Sequence, residues 1–338
     1  MIVRAIRIII PLINRLGREF FLSLHVNRFA NIGNCLVKKQ EKLFFFHFRG
    51  KIINCGDAFL AFCTNFAPKL QNMMNVSRIN LPTVDSTNLF VREMLSEEGT
   101  GHVMSAAIRT GFTLVVADDQ TRGRGQQGNS WETEKGKNLT FSLLCHPDFI
   151  IASRQFLLSQ CMAVAVREAL AHYVEGVEVK WPNDIYVGDR KISGTLIECD
   201  LQGKHIANCI IGVGININQT AFRSDAPNPT SLRLLTGHDH DREEVLSAIM
   251  AAFQHYYEWL QEGREEDLRL LYMQHLYRRT GMHHYSDVRG SFMAEIAAVE
   301  PTGHIRLRFD TGQVVRYELK EVRFEPDTPS SPPIPYSQ

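Results

Sequence analysis

A glycine-rich segment, residues 119–131, constrains the fold of this chain more than any other part of the sequence. Gly123, Gly125 and Gly128 follow an apolar, β-branched run, so their spacing matches the GxGxxG pattern of dinucleotide-binding folds. That fold needs a helix that begins among the glycines. Residues 129–138 are instead polar, include a further glycine and show no helical period. The sequence therefore predicts a long glycine-rich loop between two strands, not a dinucleotide fingerprint.

Positive charge accompanies this loop. Arg122 and Arg124 alternate with glycines that let a backbone fold closely over a ligand, so the loop is suited to wrap an anion. Lys180 and Lys191 flank a short hairpin, and if the two strands pair, both ammonium groups can reach one pocket. Fixed cations there would stabilise charge that builds up on a phosphate under attack. Each feature also has a plainer interpretation: a mobile surface hairpin for the loop, and solvated surface charges for the lysines.

Hydrophobic periodicity predicts an α/β (α+β) architecture, with a mixed or antiparallel sheet flanked by helices. Apolar residues at helical spacing predict helices that begin near Ser86, near Gln155 and after a capping residue, Asp241. Apolar and alternating runs predict strands at 113–116, 139–145, 177–180, 192–199 and 205–217. Alternating runs joined by glycine turns predict a small C-terminal β-barrel from strands at 292–298, 304–309 and 314–319.

Composition changes along the chain predict its domain organisation. We expect a main domain at 74–278, the barrel at 279–325 and a proline-rich, disordered tail at 326–338. Residues 1–73 carry eleven Lys and Arg against three Asp and Glu, a balance of +8, and show no sustained period. Three interpretations of this segment stay open: an over-extended start, with the natural first residue at Met73 or Met74, a poorly structured basic extension, or a small extra domain.

Charge and cysteine content argue against several classes of protein. The whole chain has no net charge, so the part after residue 73 is mildly acidic, which does not suit a nucleic-acid binder. The apolar stretch 6–13 is too short and too charged for a membrane span. The seven cysteines are scattered without metal-ligand spacing, which suits a reducing cytoplasm. Alternating His and Asp at 238–241 indicate a polar helix cap, so we expect no metal-ligating residues.

Five motifs follow one another in this chain: DSTN at Asp85, the GRG loop that continues to Trp131, KWPND at Lys180, RKISG at Arg190 and GVGIN at Gly212. In this order they resemble the motifs of the biotin protein ligases, the biotin–[acetyl-CoA-carboxylase] ligase family, over about residues 79–324. Five motifs in order are far more specific than any one of them. The resemblance implies a class II synthetase-like biotin/lipoate ligase catalytic domain, followed by an SH3-like β-barrel.

The resemblance also implies roles for individual residues. The implied biotin contacts are Ser86, Thr87, Asn88, Gln120, Gly123, Arg124, Gly125, Gln126 and Lys191. The implied ATP contacts are Arg124, Trp131, Lys180, Asn183 and Asn216. The implied catalytic residues are Lys191, which meets the biotin carboxylate and the α-phosphate, and Arg124, whose loop closes over the adenylate and excludes water.

The reaction and its participants follow from the same resemblance. Biotin would be activated with ATP, accompanied by Mg²⁺, to biotinyl-5′-AMP and passed to a lysine of a biotin carboxyl carrier protein or domain. The ligase would be cytoplasmic, with no nucleic-acid or membrane partner, and a homodimer is compatible with the family. The alternative is a lipoate protein ligase-like acyl-adenylating transferase, but its RRxxGGGxVxH motif has no match in this sequence.

This sequence departs from the family pattern in two places. Many members read GRGRRG, whereas Gln126 and Gln127 stand here in place of those arginines, so retention of the adenylate is expected to depend more on Arg124. Regulatory members begin with a helix-turn-helix, and residues 1–73 show no credible one. The sequence therefore resembles the non-repressor class, and a transcriptional regulator would need the missing basic helix.

Overall fold

The computed structural model describes residues 45–48, 51–54, 76–96, 111–223 and 228–327. Contacts divide the chain into two compact units, residues 1–73 and 74–338. In the first unit, β1 (Phe45–Phe48) and β2 (Lys51–Asn54) pair as an antiparallel hairpin. The remainder of residues 1–73 lies outside the described residues, so the three interpretations of this segment stay predictions.

A seven-stranded mixed sheet forms the centre of the second unit. Its strands are β3 (Val76–Leu81), β4 (Phe112–Ala117), β5 (Leu139–Cys145), β6 (Val177–Lys180), β7 (Asp184–Val187), β8 (Arg190–Gln202) and β9 (His205–Ile215). They lie in the order β3-β4-β5-β9-β8-β7-β6. Strand β3 runs parallel to β4, and the other neighbouring pairs are antiparallel. The predicted mixed sheet is confirmed.

Helices cover both faces of this sheet. They are α1 (Thr87–Leu95), α2 (Phe156–Leu170), α3 (Leu232–Thr236), α4 (Arg242–Gln261) and α5 (Glu265–Gln274). Helix α2 contacts α4, α5 and the sheet, so it is buried almost all round and its sequence is apolar on every side. Helix α1 packs on the opposite face, where Val91 joins Val115, Leu144 and Ile210 in a second buried cluster. The predicted flanking helices are therefore confirmed.

Two of these helices begin in different ways. Asp241 caps α4, as predicted, because its carboxylate accepts a hydrogen bond from the Glu243 amide at 2.7 Å. Ser86 precedes α1, as predicted, but its side chain makes no capping hydrogen bond. The Thr87 amide instead donates to Oε1 of Gln120 at 2.8 Å. The start of α1 is therefore tied to the glycine-rich loop.

A five-stranded antiparallel sheet follows in the chain. Its strands are β10 (His283–Asp287), β11 (Gly290–Val299), β12 (Ile305–Phe309), β13 (Val314–Tyr317) and β14 (Arg323–Phe324). They lie in the order β13-β12-β11-β10-β14, so the predicted C-terminal β domain is present. Strands β13 and β14 lie at opposite ends of this order, and closure into an SH3-like barrel stays a prediction.

The hydrophobic core continues from the main sheet into the C-terminal sheet. Tyr285 and Ile305, both fully buried, belong to the same cluster as the side chains of α2 and α4. The boundary at residues 278 and 279 therefore stays a prediction. Asp327 accepts a hydrogen bond from the His284 amide at 3.0 Å, and the tail from residue 328 onwards lies outside the described residues. In the described part of the chain, no helix is long and apolar enough to cross a membrane.

Candidate active site

The glycine-rich loop covers a cavity of about 160 Å³ beside the N-terminal end of α1. The lining residues are Ser86, Thr87, Asn88, Gln120, Arg124, Gly125, Gln126, Asn129, Ser130, Trp131, Asp184, Lys191, Gly194, Thr195, Leu196, Gly212, Val213 and Gly214. All five sequence motifs contribute to this set, although they are spread over more than a hundred residues of the chain. The fold therefore brings the motifs to one place.

Glycines on β8 and β9 form the floor of the cavity. Gly194 pairs with Gly214 across the two strands, and Gly212 lies two residues earlier on β9. The Trp131 ring covers Gly214 so closely that a Cβ there would overlap it, and the Asn88 side chain covers Gly212 in the same way. Sequence reasoning did not assign this floor. The available signal was the alternate glycines of GVG inside a strand, which are typical of close approach by another group.

Hydrogen bonds link the polar side chains at the α1 end of the cavity. Thr87 Oγ1 donates to Gln120 Oε1 at 3.2 Å, and Ser142 Oγ lies 2.7 Å from Thr87 Oγ1. Ser142 Oγ also donates to Asn88 Oδ1 at 2.6 Å. Sequence reasoning had named the other three residues but had missed Ser142. The sequence feature that could have indicated Ser142 is a serine inside the fully buried strand β5, because a buried hydroxyl needs a hydrogen-bond partner.

Backbone hydrogen bonds fold the glycine-rich loop back on itself. The Trp131 amide donates to the Gly123 carbonyl at 2.8 Å, and the Gly125 amide donates to the Asn129 carbonyl at 2.7 Å. A Cβ on Gly123 would overlap the Trp131 carbonyl, so this close approach requires glycine. Gly123 therefore shapes the loop but does not line the cavity. Arg124, which does, lies 3.4 Å from a carboxylate oxygen of Glu198.

Lys191 borders the cavity from the start of β8. Its Nζ lies 2.6 Å from Asp184 Oδ2 and 5.8 Å from the centre of the Trp131 ring. Its backbone amide donates to the Asn228 carbonyl at 2.9 Å, which anchors the main chain at this residue. Arg124 and Lys191 thus border one cavity, each beside a carboxylate. An anionic ligand could replace either carboxylate as the partner of its cation.

Lys180 lies outside this cavity, contrary to the expectation that both lysines share one pocket. It stands opposite Asp184 in the β6–β7 hairpin, but its Nζ donates to the Tyr186 hydroxyl at 3.1 Å. The ammonium group lies 4.5 Å from the centre of the Tyr186 ring and 5.3 Å from that of Phe324. Burial lowers the pKa of Lys180, and the charge of Asp184 opposes that shift. Aromatic rings therefore hold this lysine against the C-terminal sheet.

Asn183 and Asn216 are buried and support the strands around the cavity without lining it. The side-chain amide of Asn183 donates to the Thr195 carbonyl at 2.9 Å, and that of Asn216 donates to the Thr230 carbonyl at 2.9 Å. Gln126, in contrast, lines the cavity and reaches Asn183 Oδ1 at 3.4 Å. Contact of either asparagine with a nucleotide stays a prediction.

Among the described residues, no group of three or more His, Cys, Asp or Glu side chains could hold a metal ion. At residues 238–241, where sequence reasoning considered a metal site, Asp239 pairs with Arg233 and Asp241 caps α4. Both carboxylates therefore have structural partners.

Known proteins share this fold. A profile of the Biotin/lipoate A/B protein ligase family matches residues 104–216. The structure of a biotin protein ligase from Aquifex aeolicus in complex with biotin and ATP is similar over 74% of this chain and 99% of its own, with a TM-score of 0.59 and 25% sequence identity. The chain is therefore similar in fold and sequence to the biotin protein ligases.

Curated proteins with similar sequences carry related names. The bifunctional ligase/repressor BirA of Bacillus spizizenii is 33% identical over 189 residues, which are 53% of this chain and 57% of the relative. The biotin–[acetyl-CoA-carboxylase] ligase of Paracoccus denitrificans is 31% identical over 152 residues, which are 43% of this chain and 62% of the relative. The matched region thus spans little more than half the length of these family members.

Proposed function

We propose that this protein is a biotin protein ligase, which forms biotinyl-5′-AMP from biotin and ATP and transfers the biotinyl group to a lysine of a biotin carboxyl carrier protein or domain. One observation carries the proposal: hydrogen-bonding side chains around Asn88 and two cations, Arg124 and Lys191, border the same cavity. One end suits a neutral group that needs several hydrogen bonds. The other end suits a carboxylate that becomes a mixed anhydride with the α-phosphate.

The α1 end of the cavity fits the ureido group of biotin. A cyclic urea offers two N–H donors and one carbonyl acceptor, and the hydroxyls of Thr87 and Ser142 can each donate or accept. These groups are buried, so a ligand that leaves them unpaired would bind much more weakly. The dithiolane ring of lipoate carries no such donors. The site therefore favours biotin over the lipoate ligase alternative.

The charged end fits the activation step. A carboxylate oxygen of biotin attacks the α-phosphorus of ATP, and the bond to the bridging oxygen of pyrophosphate breaks. Negative charge grows on the α-phosphate oxygens, and we assign Lys191 and Arg124 to stabilise it, because fixed cations do this without reorganisation. The glycine-rich loop would keep water from the mixed anhydride. In the transfer step, the neutral amine of the acceptor lysine attacks the acyl carbon, AMP leaves with the bonding electrons, and the amine releases a proton.

The nucleotide would lie along the glycine floor. Trp131 offers a flat aromatic surface there, while Asn183 and Asn216 support the strands beneath. Mg²⁺ would accompany the phosphates and offset their charge, and its usual coordination needs only one or two protein carboxylates. Asp184, a carboxylate in the lining, fits that requirement.

The proposed setting is a reducing cytoplasm. Cys145, Cys161, Cys199 and Cys209 are free thiols, which supports that setting. The expected partner is the carrier protein or domain of a biotin-dependent carboxylase. A homodimer and the lack of nucleic-acid binding stay predictions.

The decisive experiment combines the protein with biotin, ATP labelled at the α-phosphate and a purified biotin carrier domain. We expect labelled biotinyl-AMP without the carrier, and a mass gain of one biotinyl group on the carrier when it is present. Lipoate in place of biotin should give neither product. Failure to form biotinyl-AMP or to modify the carrier would contradict the proposal, and transfer of lipoate alone would favour the alternative.

A further inference from the structure

Glu198 contacts two residues that line the cavity, Asn88 and Arg124, although it does not line the cavity itself and none of the five motifs contains it. The residue lies on β8, and its side chain is 23% exposed. One carboxylate oxygen, Oε2, accepts a hydrogen bond from Asn88 Nδ2 at 2.9 Å. The other, Oε1, lies 3.4 Å from Nη2 of Arg124. A single carboxylate thus contacts both the hydrogen-bonding end and the cationic loop.

The hydrogen bond between Asn88 and Glu198 sets the orientation of the Asn88 side-chain amide. Both acceptors near Asn88 Nδ2, the Glu198 carboxylate and the Leu196 carbonyl, lie on the β8 side, the second at 3.3 Å. A flipped amide would place its oxygen against these two acceptors, which is unfavourable because a carboxylate cannot donate. Asn88 Oδ1 is therefore held toward the Ser142 hydroxyl. The donors and acceptors offered to a ligand then have one fixed pattern.

The pairing with Arg124 is of a different kind. The Arg124 side chain is 47% exposed and the contact is long, so the pair contributes little to stability. A weak pair is suited to a cation that must change partners, because a phosphate can displace the carboxylate at small cost. Without any partner, the guanidinium would be free to leave the cavity together with its loop.

We propose that Glu198 is a positioning residue: it fixes the Asn88 amide for the neutral head group and keeps Arg124 at the cavity until an anionic ligand takes over the guanidinium. The inference rests on the proposed biotin ligase function. It deepens that function, because it gives one residue control over both ligand recognition and loop placement.

Two substitutions separate these roles. Glu198→Ala removes both contacts. Glu198→Gln keeps an oxygen that can accept from Asn88 but removes the charge that attracts Arg124. Asp200 supplies a matched control, because it lies two residues further along β8 and pairs with Arg92 of α1 outside the cavity lining. Asp200→Asn therefore removes a similar charge without touching either contact.

The kinetic test measures KM for biotin, kcat and the release of free biotinyl-AMP in wild type and in the three variants. We expect Glu198→Ala to raise the biotin KM about tenfold, as the loss of one charge-assisted hydrogen bond does. Glu198→Gln should keep the biotin KM within about twofold of wild type but release more free biotinyl-AMP. Asp200→Asn should match wild type in both properties.

Limited trypsin digestion of the ligand-free protein tests the loop independently of catalysis. Cleavage after Arg124 should become about fivefold faster in Glu198→Gln and stay unchanged in Asp200→Asn, and biotin with ATP should protect all variants. A biotin KM in Glu198→Ala equal to that of wild type, or equal cleavage in Glu198→Gln and wild type, would overturn the inference. If wild type itself forms no biotinyl-AMP, the proposed function fails instead.

Discussion

Lys180 and Lys191 lie near each other, but their surroundings suit them to different tasks. Lys191 borders the cavity beside the partly exposed carboxylate of Asp184, where an arriving anion can reach it. Lys180 is enclosed by the rings of Tyr186 and Phe324, where an anion cannot approach without displacing them. At the scale of single residues, Lys191 and not Lys180 therefore lines the cavity in which we propose that the reaction occurs.

Lys191→Ala should reduce the formation of biotinyl-AMP by about 100- to 1000-fold, because it removes a fixed cation from the charge that grows on the α-phosphate. Single-turnover assays with labelled ATP measure this rate, and circular dichroism checks the fold. Lys204→Ala, at an exposed position in the turn between β8 and β9, is the control and should match wild type. A near-normal rate in Lys191→Ala would refute its assigned role.

The stability of the protein should depend on pH through Lys180. Burial lowers the folded-state pKa of Lys180, so the charged form is disfavoured in the folded protein. This cost is fully present below the folded pKa and fades as the pH rises toward the usual value of 10.5. The free energy of unfolding of wild type, relative to Lys180→Met, should therefore increase as the pH rises toward 10.5. Denaturant titrations at several pH values test this, and a constant or falling difference would contradict it.

Among the elements, the β8–β9 ladder supplies most of the cavity floor. It places Gly214 under the Trp131 ring, so a methyl group at this position should displace the ring from its place beside the proposed adenine site. We expect Gly214→Ala to raise the KM for ATP about tenfold and the KM for biotin much less. In a Trp131→Ala background the same substitution should have little further effect, because no ring remains to collide. Equal effects in both backgrounds would argue against this account of the floor.

Local sequence pattern was sufficient for α1, α2, α4, most of the strands and the order of the motifs, but β3, β7, α5 and β10 were not predicted. The apolar run of β5 and the all-round apolar helix α2 show their burial directly in the sequence. Contacts between distant segments could not be predicted from local pattern, because the residues that meet are far apart in the chain: Glu198 contacts Arg124 across 74 residues. The contact of Lys180 with the Phe324 ring of the C-terminal sheet is likewise not visible in the periodicity of either segment.

At the scale of the whole molecule, the C-terminal sheet supports the segment that carries Asp184. Trp181 Nε1 donates to the Gly303 carbonyl at 2.9 Å, from the turn between β11 and β12. On the other side, the Tyr272 hydroxyl of α5 donates to the Pro182 carbonyl at 2.8 Å. The KWPND segment is thus held between the C-terminal sheet and α5. Because Asp184 pairs with Lys191, the C-terminal sheet contributes to the site without lining it.

Ile305→Ala tests whether the C-terminal sheet contributes to the free energy of unfolding of the main-sheet part of the chain. Ile305 is fully buried in the continuous core, so the cavity left behind should lower the free energy of unfolding by about 2–5 kcal/mol. Trp181 contacts Gly303 of the C-terminal sheet, whereas Trp131 and Trp259 lie in the main-sheet part, so the measurement uses a Trp181→Phe background in which fluorescence reports on that part alone. We expect the Tm from tryptophan fluorescence to fall together with the Tm from circular dichroism, because one core unfolds as one unit.

Val288→Ala is the matched control for that measurement, because Val288 is 100% exposed in the turn between β10 and β11 and should leave both Tm values unchanged. If Ile305→Ala instead produced an early transition in circular dichroism while the tryptophan signal kept its wild-type Tm, the C-terminal sheet would unfold on its own. Its hold on the KWPND segment would then be too weak to position Asp184, and the pairing of Asp184 with Lys191 would have to rest on the β7–β8 hairpin alone.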